Sequence, residues 1–385
     1  MIRLICLADI HINERDRAGE GAAIREWMIR TLPDYEPSAY LIGGDLLHGR
    51  STVAERNAAM GLLRPLSDSA EVIGVYGNHE VPRDLDIYNA IPNVHFYAMP
   101  AVHLIDGCAI ACLPWLRFVP HANETRLSAT DLAAEAQRFV ARELDALRHN
   151  LEDIAPRGPR VMLGHAMIRG AKTALGQPVP LGAEFELGLE DLAPFNCDTY
   201  LFGHVHKGQD FLLGNGTSVI YPGSSHRTVY GEIDEKRVVL VKIDDRGWAS
   251  IEYIPTPARP MLLCETAWTP SGWDGDASID QLVADVAACK LAPEVRFRYS
   301  VPSSCREKGT IDAGRVAARL KAAGALTVKP EPKTIVETAP RAPEIVRAPN
   351  IQEQLRVLFR RQGKDDDTIA RLLSRLPSVQ KESSR

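Results

Sequence analysis

Short apolar runs that end in a polar residue recur along the first half of the chain. Five of them lead into residues that can bind a cation, and the motifs are Asp9-Ile10-His11, Gly44-Asp45-Leu46-Leu47-His48, Gly77-Asn78-His79-Glu80, Gly164-His165 and Gly203-His204-Val205-His206. Runs of this kind predict buried β-strands. Because the carboxyl ends of strands in an open α/β sheet meet at one edge, these side chains are expected to lie together. A single Asp-x-His pair would more often include a helix cap than two metal ligands, but chance explains five such motifs poorly.

Between the predicted strands, apolar residues recur at helical spacing. Residues 22–32 and 53–66 each place apolar side chains on one face, and residues 129–151 form the longest segment of this kind. This alternation of strand and helix predicts βαβ units. Residues 102–113 predict a β-hairpin that turns at Asp106-Gly107.

The pattern changes after His206 to short apolar runs that are separated by turn residues. Runs at 211–213, 218–221, 238–243 and 250–254 suit antiparallel strands. The fold class predicted for this part of the chain is therefore α/β, with two layers of strand packed as a β-sandwich and flanked by helices.

A proline-rich stretch at 255–260 marks the predicted end of this core domain. Beyond it, predicted strands at 261–266 and 295–301 alternate with helices at 279–289 and 312–322, which suits a small α+β domain. The predicted division of the chain is 1–257 for the core domain, 258–328 for the small domain, 329–350 for a linker, 351–377 for a helix pair and 378–385 for a tail.

Two short amphipathic helices are predicted after the small domain. Residues 330–349, which precede them, are punctuated by proline and low in hydrophobicity, so they are expected to be extended or disordered. Within 351–361 and 366–376, apolar residues follow i, i+3, i+4, i+7 spacing. A helix pair on a tether cannot bury its apolar faces unaided. It either folds back onto its own domain or docks on another protein, and docking is the favoured interpretation.

Composition limits the classes of function. Of the 385 residues, 45% are hydrophobic and 25% are charged, as expected for a globular protein of two or three domains. The formal net charge of −5 argues against broad adhesion to nucleic acid, although a local basic groove or a bound cation could still hold a polyanion. Seven cysteines without a C-x-x-C pair give no sign of a zinc ribbon or a disulfide framework. Without a leader segment or a membrane-length apolar run, the sequence predicts a cytoplasmic protein with no membrane partner.

The polar residues after the five runs suit a centre of two divalent cations, which needs a bridging carboxylate and several ligands on each side. In the predicted centre, Asp45 bridges, one ion takes Asp9, His11 and His206, and the other takes Asn78, His165 and His204. A mixture of imidazole and oxygen donors without thiolate suits Mn, Fe, Zn or Mg. Such a centre can activate water for in-line attack on phosphorus.

Two further histidines are candidates for catalysis. His79 follows the predicted ligand Asn78 and can face outward to protonate or stabilise the leaving oxygen. His48 lies three residues after Asp45 and could orient His79 or contact phosphate. Either histidine could instead be a supporting hydrogen-bond donor that takes no part in the reaction.

Together and in this order, the five motifs resemble the signature motifs of the calcineurin-like metallophosphoesterases, over about the first 210 residues. A narrower likeness lies in the segment Tyr221-Pro222-Gly223-Ser224-Ser225-His226-Arg227, which is followed by Tyr230-Gly231-Glu232. This segment resembles the "YPGS…R…GE" segment of the SbcD nuclease family, relatives of the eukaryotic Mre-eleven recombination nuclease.

The second resemblance implies a specific function. It implies a dimanganese site made by the seven ligands above with His79 and His48 assisting, and 3′→5′ exonuclease and single-strand endonuclease action on DNA. It also implies a homodimer and a capping domain, which would be the small domain. Such nucleases carry a C-terminal helical segment that grips the coiled-coil base of an SbcC-type ABC ATPase, and the predicted helix pair matches it in position. The chain would then serve DNA end processing, repair and recombination.

Two other functions are compatible with the sequence. The chain could be a phosphodiesterase or phosphatase of the same superfamily for a small substrate, which would be turned over without need for a polymer. It could also be a non-catalytic adaptor of the ATPase, with a structural metal site. An adaptor would bind its partner and lack activity in every metal.

Overall fold

The computed structural model describes residues 1–15, 17–118, 128–155, 157–173, 175, 186–244, 249–336, 345 and 348–374. Two compact units make up the chain. The first comprises residues 1–264, 278–297 and 317–329, and the second comprises residues 265–277, 298–316 and 330–385. The domain boundaries given above remain predictions.

The described strands of the first unit form two six-stranded sheets and one short pair. In chain order they are β1 (Ile2–Leu7), β2 (Ala39–Ile42), β3 (Glu71–Val75), β4 (Val94–Tyr97), β5 (Ala101–Ile105), β6 (Cys108–Leu113), β7 (Arg160–His165), β8 (Met167–Ile168), β9 (Glu186–Leu187), β10 (Thr199–Gly203), β11 (Gln209–Leu212), β12 (Ser218–Tyr221), β13 (Arg237–Ile243) and β14 (Ala249–Pro255). One sheet has the order β14-β13-β1-β2-β3-β4, and the other has the order β11-β12-β10-β7-β6-β5. Strands β1 to β4 are parallel to one another, as are β6, β7, β10 and β12.

The described α-helices within residues 1–264 are α1 (Ala18–Thr31), α2 (Val53–Ser67), α3 (Ala129–Ile154) and α4 (Leu189–Leu192). A capping box begins α2, in which the Thr52 hydroxyl accepts from the Glu55 N–H and the Glu55 carboxylate accepts from the Thr52 N–H. Helix α1 starts four residues before the predicted position. Its first residues, Ala18 to Gly21, include no large apolar side chain, so the hydrophobic spacing did not reveal the first turn.

Three apolar clusters hold the first unit together. The middle one joins the two sheets and includes Leu41 and Ile73 from one sheet and Leu163 from the other. The outer clusters pack helices on the sheets, with Met28 of α1 in one and Leu147 of α3 in the other. The predicted α/β fold, with two strand layers flanked by helices, is confirmed. The predicted hairpin is also present, with β5 antiparallel to β6.

A four-stranded sheet follows, with the strands β15 (Met261–Thr269), β16 (Gly272–Asp274), β17 (Glu294–Pro302) and β18 (Thr327–Ile335) in the order β16-β15-β17-β18. The helices in this part of the chain are α5 (Asp276–Ala288), α6 (Arg306–Ala322), α7 (Ile351–Arg361) and α8 (Asp366–Ser374). In the second unit, the indole of Trp273 packs edge-on against Trp268 and Tyr299.

The first residues of the predicted linker are part of a sheet. The sequence pattern predicts that residues 330–349 are extended or disordered, and residues 330–335 are extended because they continue strand β18 beside β17, a pairing that the pattern did not predict. The backbone of Pro330 and Pro332 is compatible with this position because β18 is an edge strand, where missing N–H donors are tolerated. Residues 337–344 of the predicted linker and 375–385 of the predicted helix and tail lie outside the described residues. Across the described helices, none is both long and apolar enough to cross a bilayer.

Candidate metal centre

The structure brings the seven predicted metal ligands together in the first unit. Each lies at or just after the carboxyl end of a parallel strand: Asp9 and His11 after β1, Asp45 after β2, Asn78 after β3, His165 at the end of β7, and His204 and His206 after β10. The strand ends of both sheets therefore contribute to one site, as expected for the carboxyl edge of α/β sheets.

The loops that carry the ligands have an unusual backbone. Four ligand residues have positive φ, which is 50° at Asp9, 46° at His11, 51° at Asp45 and 100° at His204. Non-glycine residues adopt this region rarely, and strain of this kind concentrates at functional sites. Close approach also requires glycine, because a Cβ on Gly77 would collide with the carboxylate of Asp45.

One group of possible ligand atoms comes from the side chains of His11, His206 and Asp9. The Nε2 atoms of the two histidines lie only 2.8 Å apart. Burial lowers the pKa of His11 well below its usual value and that of His206 to about 3, so both rings are neutral at pH 7. One ring nitrogen of each histidine and a carboxylate oxygen of Asp9 lie within 4.8 Å of one another. Such a convergence of donor atoms fits one cation.

A second group forms around Asn78. Its Oδ1 lies 2.9 Å from Nε2 of His165 and 3.1 Å from Nδ1 of His204. On the far side of the His165 ring, Nδ1 lies 2.7 Å from the carbonyl oxygen of Gly43. This carbonyl accepts the Nδ1 proton, which leaves the Nε2 lone pair free for a cation.

Asp45 lies between the two groups. Its Oδ2 is 3.5 Å from Nε2 of His11 and 3.6 Å from Nε2 of His165. The other oxygen, Oδ1, accepts a hydrogen bond from the backbone N–H of His79 at 3.0 Å. The geometry therefore fits the predicted division of the ligands, with Asp45 in the bridging position.

The two buried carboxylates of the site, Asp9 and Asp45, indicate that cations bind there. Burial raises the pKa of Asp9 and of Asp45, and the negative charge of Asp45 raises that of Asp9 further. Two buried carboxylates so close together are costly unless positive charge compensates them. The buried histidines His11, His165 and His206 are held neutral and supply none. Oxygen and imidazole donors in this ratio suit two divalent ions of the Mn, Fe, Zn or Mg type, so the residues present fit the predicted metal centre.

His79 and His48 lie at the open side of the centre. The side chain of His79 is 38% exposed, and its Nε2 is 3.9 Å from Oδ2 of Asp45. Its Nδ1 lies 3.1 Å from the backbone carbonyl of His48, and the two rings stack with centroids 5.5 Å apart. His48 therefore contacts His79 through its carbonyl and the face of its ring. Its imidazole nitrogens are left for other contacts.

Sequence reasoning gave no role to Glu80, whose carboxylate holds two of the loops. This carboxylate is buried and accepts from the backbone N–H groups of Asp45, Leu47 and Gly77. Burial raises the pKa of Glu80 to about 8, and the three donors oppose the rise. Arg117 donates to the carbonyls of Asn78 and Glu80 and fixes the same loop. The available signal was the place of Glu80 at the end of the motif Gly77-Asn78-His79-Glu80.

A buried chain of polar groups behind His206 was also missed. Nδ1 of His206 lies 2.9 Å from the Thr228 hydroxyl, which donates to Glu232 at 3.0 Å. Glu232 in turn forms an ion pair of 2.6 Å with Lys236, whose ammonium also donates to the carbonyl of His206. These contacts hold both the ring and the backbone of the predicted ligand His206.

Replacing Thr228 by Val is expected to weaken metal binding about 10–100-fold, because loss of a partner that orients a ligating histidine typically costs this much. The hydroxyl is the acceptor for His206, and valine keeps the side-chain shape without it. Metal titration monitored by calorimetry measures the change. Thr217→Val, in a turn after β11, serves as the matched control. Equal affinity in both variants would contradict the orienting role of Thr228.

Comparison with a known protein family agrees with the fold. Residues 2–208, more than half of the chain, match the family of calcineurin-like phosphoesterases. The chain belongs to this family, whose reaction is the metal-dependent hydrolysis of phosphoesters. A search of curated proteins finds no match.

Several solved structures are similar to this chain. TT1561 of Thermus thermophilus is 14% identical. The match covers 66% of this chain and 98% of TT1561, with a TM-score of 0.38. GAP50, the anchor in the inner membrane complex of Plasmodium, is 13% identical. The match covers 66% of this chain and 84% of GAP50, with a TM-score of 0.40. The cold-active protein-tyrosine phosphatase of a psychrophilic Shewanella is 13% identical. The match covers 65% of this chain and 80% of the phosphatase, with a TM-score of 0.27.

Proposed function

We propose that the chain is the Mn-dependent nuclease subunit of an SbcCD-like complex, with 3′→5′ exonuclease and single-strand endonuclease activity on DNA. Family membership supplies the reaction class, and the five motifs supply the ligands. When bound, the two ions would activate water and stabilise charge on the phosphate. The protein's own residues bind and orient the substrate, and His79 delivers a proton to the leaving oxygen.

The observation that favours a polymeric substrate is a cavity of about 200 Å³ beside His11. Its lining includes the basic side chains of Arg17, Arg25 and Arg227 and the imidazoles of His48 and His226. A monophosphate or a small diester would be fully engaged at the metal centre. A polynucleotide carries further phosphates on both sides of the bond that is cut, and a basic cavity next to the centre can hold one of them.

Two arginines of this cavity can attract an anion, Arg17 through a donor nitrogen that has no partner in the described part of the chain and Arg227 through its charge. Among the described residues, Nη2 of Arg17 is buried without a hydrogen-bond partner, while its Nε and Nη1 bond to Glu294 and the Arg227 carbonyl. The guanidinium of Arg227 is held by backbone carbonyls, including those of Glu232 and Ala258. Carbonyls orient a guanidinium without cancelling its charge, so the cavity stays attractive to phosphate.

Nuclease action is tested with 3′-labelled single-stranded and duplex DNA, with bis(p-nitrophenyl) phosphate and p-nitrophenyl phosphate as small substrates. The proposal expects Mn-dependent release of nucleotides from the 3′ end, at a higher kcat/KM than either small substrate, and loss of this release in His79→Ala. Turnover of the small substrates without any nucleotide release, with or without the ATPase, would favour the small-substrate alternative. Absence of activity on DNA and on both small substrates, with every metal ion tested, would favour the non-catalytic adaptor.

Arg17→Gln is expected to raise KM for DNA about 10–100-fold, since a charge-assisted hydrogen bond is worth about 1.5–3 kcal/mol. The kcat/KM for bis(p-nitrophenyl) phosphate should stay near wild type, because that substrate has no second phosphate. Arg3→Gln, which removes an ion pair with Glu36 at the start of β1, is the matched control. An equal loss on both substrates would show that Arg17 acts through folding instead.

The helix pair supports the proposed ATPase partner. No residue of α7 is buried, although its apolar residues form one face, and Ile351 is 59% exposed. A strongly amphipathic helix with an accessible apolar face suits docking into a groove of a coiled coil. Ile351→Asp should weaken capture of an SbcC-type ATPase, whereas Gln362→Asp, just after α7, should not. Light scattering of the purified chain tests the proposed homodimer.

A further inference from the structure

A second cluster of possible metal ligands lies outside the centre described above. It consists of Glu71 at the start of β3, His95 in β4 and His103 in β5, and is called the edge cluster here. The Nε2 atoms of both histidines lie 2.9 Å from the same oxygen, Oε1 of Glu71. The two rings are tilted, with centroids 5.0 Å apart. One ligand atom from each of the three residues thus lies within 4.8 Å of the other two.

The strands explain why these three side chains meet. β4 is the edge strand of one sheet, and β5 is the edge strand of the other. Side chains alternate along a strand, so Glu71 shares the inward face of β3 with Ile73, and His103 shares that of β5 with Ile105. Ile73 and Ile105 both belong to the apolar layer between the sheets. The edge cluster therefore closes this layer at the open side of the sandwich.

A third neighbour orients one of the histidines. The Tyr97 hydroxyl lies 2.8 Å from Nδ1 of His103. When the hydroxyl accepts the Nδ1 proton, the Nε2 lone pair points at the carboxylate of Glu71. The lone pairs of His103 Nε2 and Glu71 Oε1 then face each other across 2.9 Å, and they repel unless a proton or a cation lies between them. Orientation of a histidine through its second nitrogen is also the usual arrangement in metal sites.

We propose that the edge cluster is a separate binding site for a transition-metal ion of the zinc type, which joins the edge strands of the two sheets. Two imidazoles and one carboxylate are a well-known ligand set for zinc, with the remaining position open to water. Solvent can reach the cluster through His95, whose side chain is 43% exposed, whereas that of His103 is only 12% exposed. An ion can therefore enter without opening the fold.

The alternative is a carboxylate that simply accepts one hydrogen bond from each histidine. Metal content separates the two possibilities. The full chain is stripped with a chelator, loaded with zinc, passed through a desalting column and analysed for metal per chain. His95→Gln should lose about one zinc equivalent relative to its parent, as expected for removal of one ligand from a three-ligand site. His103→Gln should give the same loss.

The control is His149→Gln, because His149 on α3 also contacts a carboxylate, that of Asp145, but belongs to no cluster of three ligands among the described residues. Its zinc content should equal that of wild type. The comparison is repeated in an Asp45→Asn background, so that failure of the proposed dinuclear centre does not affect the result. Equal zinc content in the parent and in both edge-cluster variants would overturn the proposal.

Melting temperature provides a second measurement that does not depend on activity. Zinc that binds the folded chain raises its melting temperature. Zinc should raise the melting temperature of the wild-type chain more than that of His95→Gln. Without metal, the two proteins should have similar melting temperatures, because His95 is partly exposed. A metal-free variant that melts well below wild type, with an unchanged zinc-dependent rise, would show that the cluster stabilises only through hydrogen bonds.

Discussion

Asp45→Asn is expected to reduce phosphoester hydrolysis to background and to lower the amount of tightly bound metal. Asp45 is the only one of the seven predicted ligands whose carboxylate lies within 3.6 Å of a histidine from both ligand groups. Asparagine keeps the size of the side chain but removes the negative charge that two neighbouring cations require. Hydrolysis of bis(p-nitrophenyl) phosphate and metal content per chain measure the two effects.

The matched control for this variant is Asp210→Asn on strand β11. Asp210 is a partly exposed carboxylate that pairs with Arg237 and accepts a hydrogen bond from Tyr253. Pairs of this kind at the surface contribute about 0–1 kcal/mol, so the control should keep both its metal and its activity. Full activity in Asp45→Asn would remove the dinuclear centre from consideration and the nuclease proposal with it.

His79→Ala is expected to lower kcat on DNA by about 10²–10⁴-fold, the usual contribution of a positioned general acid or base, with metal content unchanged. The effect should be much smaller on bis(p-nitrophenyl) phosphate. Its nitrophenolate leaves without protonation, whereas the alkoxide of a DNA sugar needs a proton. The ratio of the two losses therefore reports on the role of His79 as an acid.

The result can be distinguished from a structural effect. His79 donates its backbone N–H to Asp45, and alanine preserves this bond. A loss of the same size on both substrates, accompanied by loss of metal, would mean that His79 only supports the ligands. His48→Ala should have the weaker effect of the two, because the carbonyl that contacts Nδ1 of His79 remains in the variant.

Most elements of the fold could be predicted because they follow from local pattern. Buried strands such as β2 and β7 are continuous apolar runs, and α3 has a long one-sided spacing. The short pair β8 and β9 and the strand β16 could not be predicted in this way, since two or three residues carry no periodicity. The pattern predicts a linker in the second half of β18 because Lys329 to Lys333 is polar and contains proline, and only pairing with β17 makes it a strand.

The sequence by itself determined the family, and it determined which donor residues stand at the ends of the apolar runs, since both follow from local pattern. Tertiary structure alone decided the distances between these donors, because the distances depend on the spacing of strand ends from two sheets. It also decided the roles of Glu80 and Thr228, whose partners are backbone N–H groups and a distant histidine. The edge cluster has the same origin. Glu71, His95 and His103 belong to no motif, and they meet only because two edge strands face each other across the sandwich.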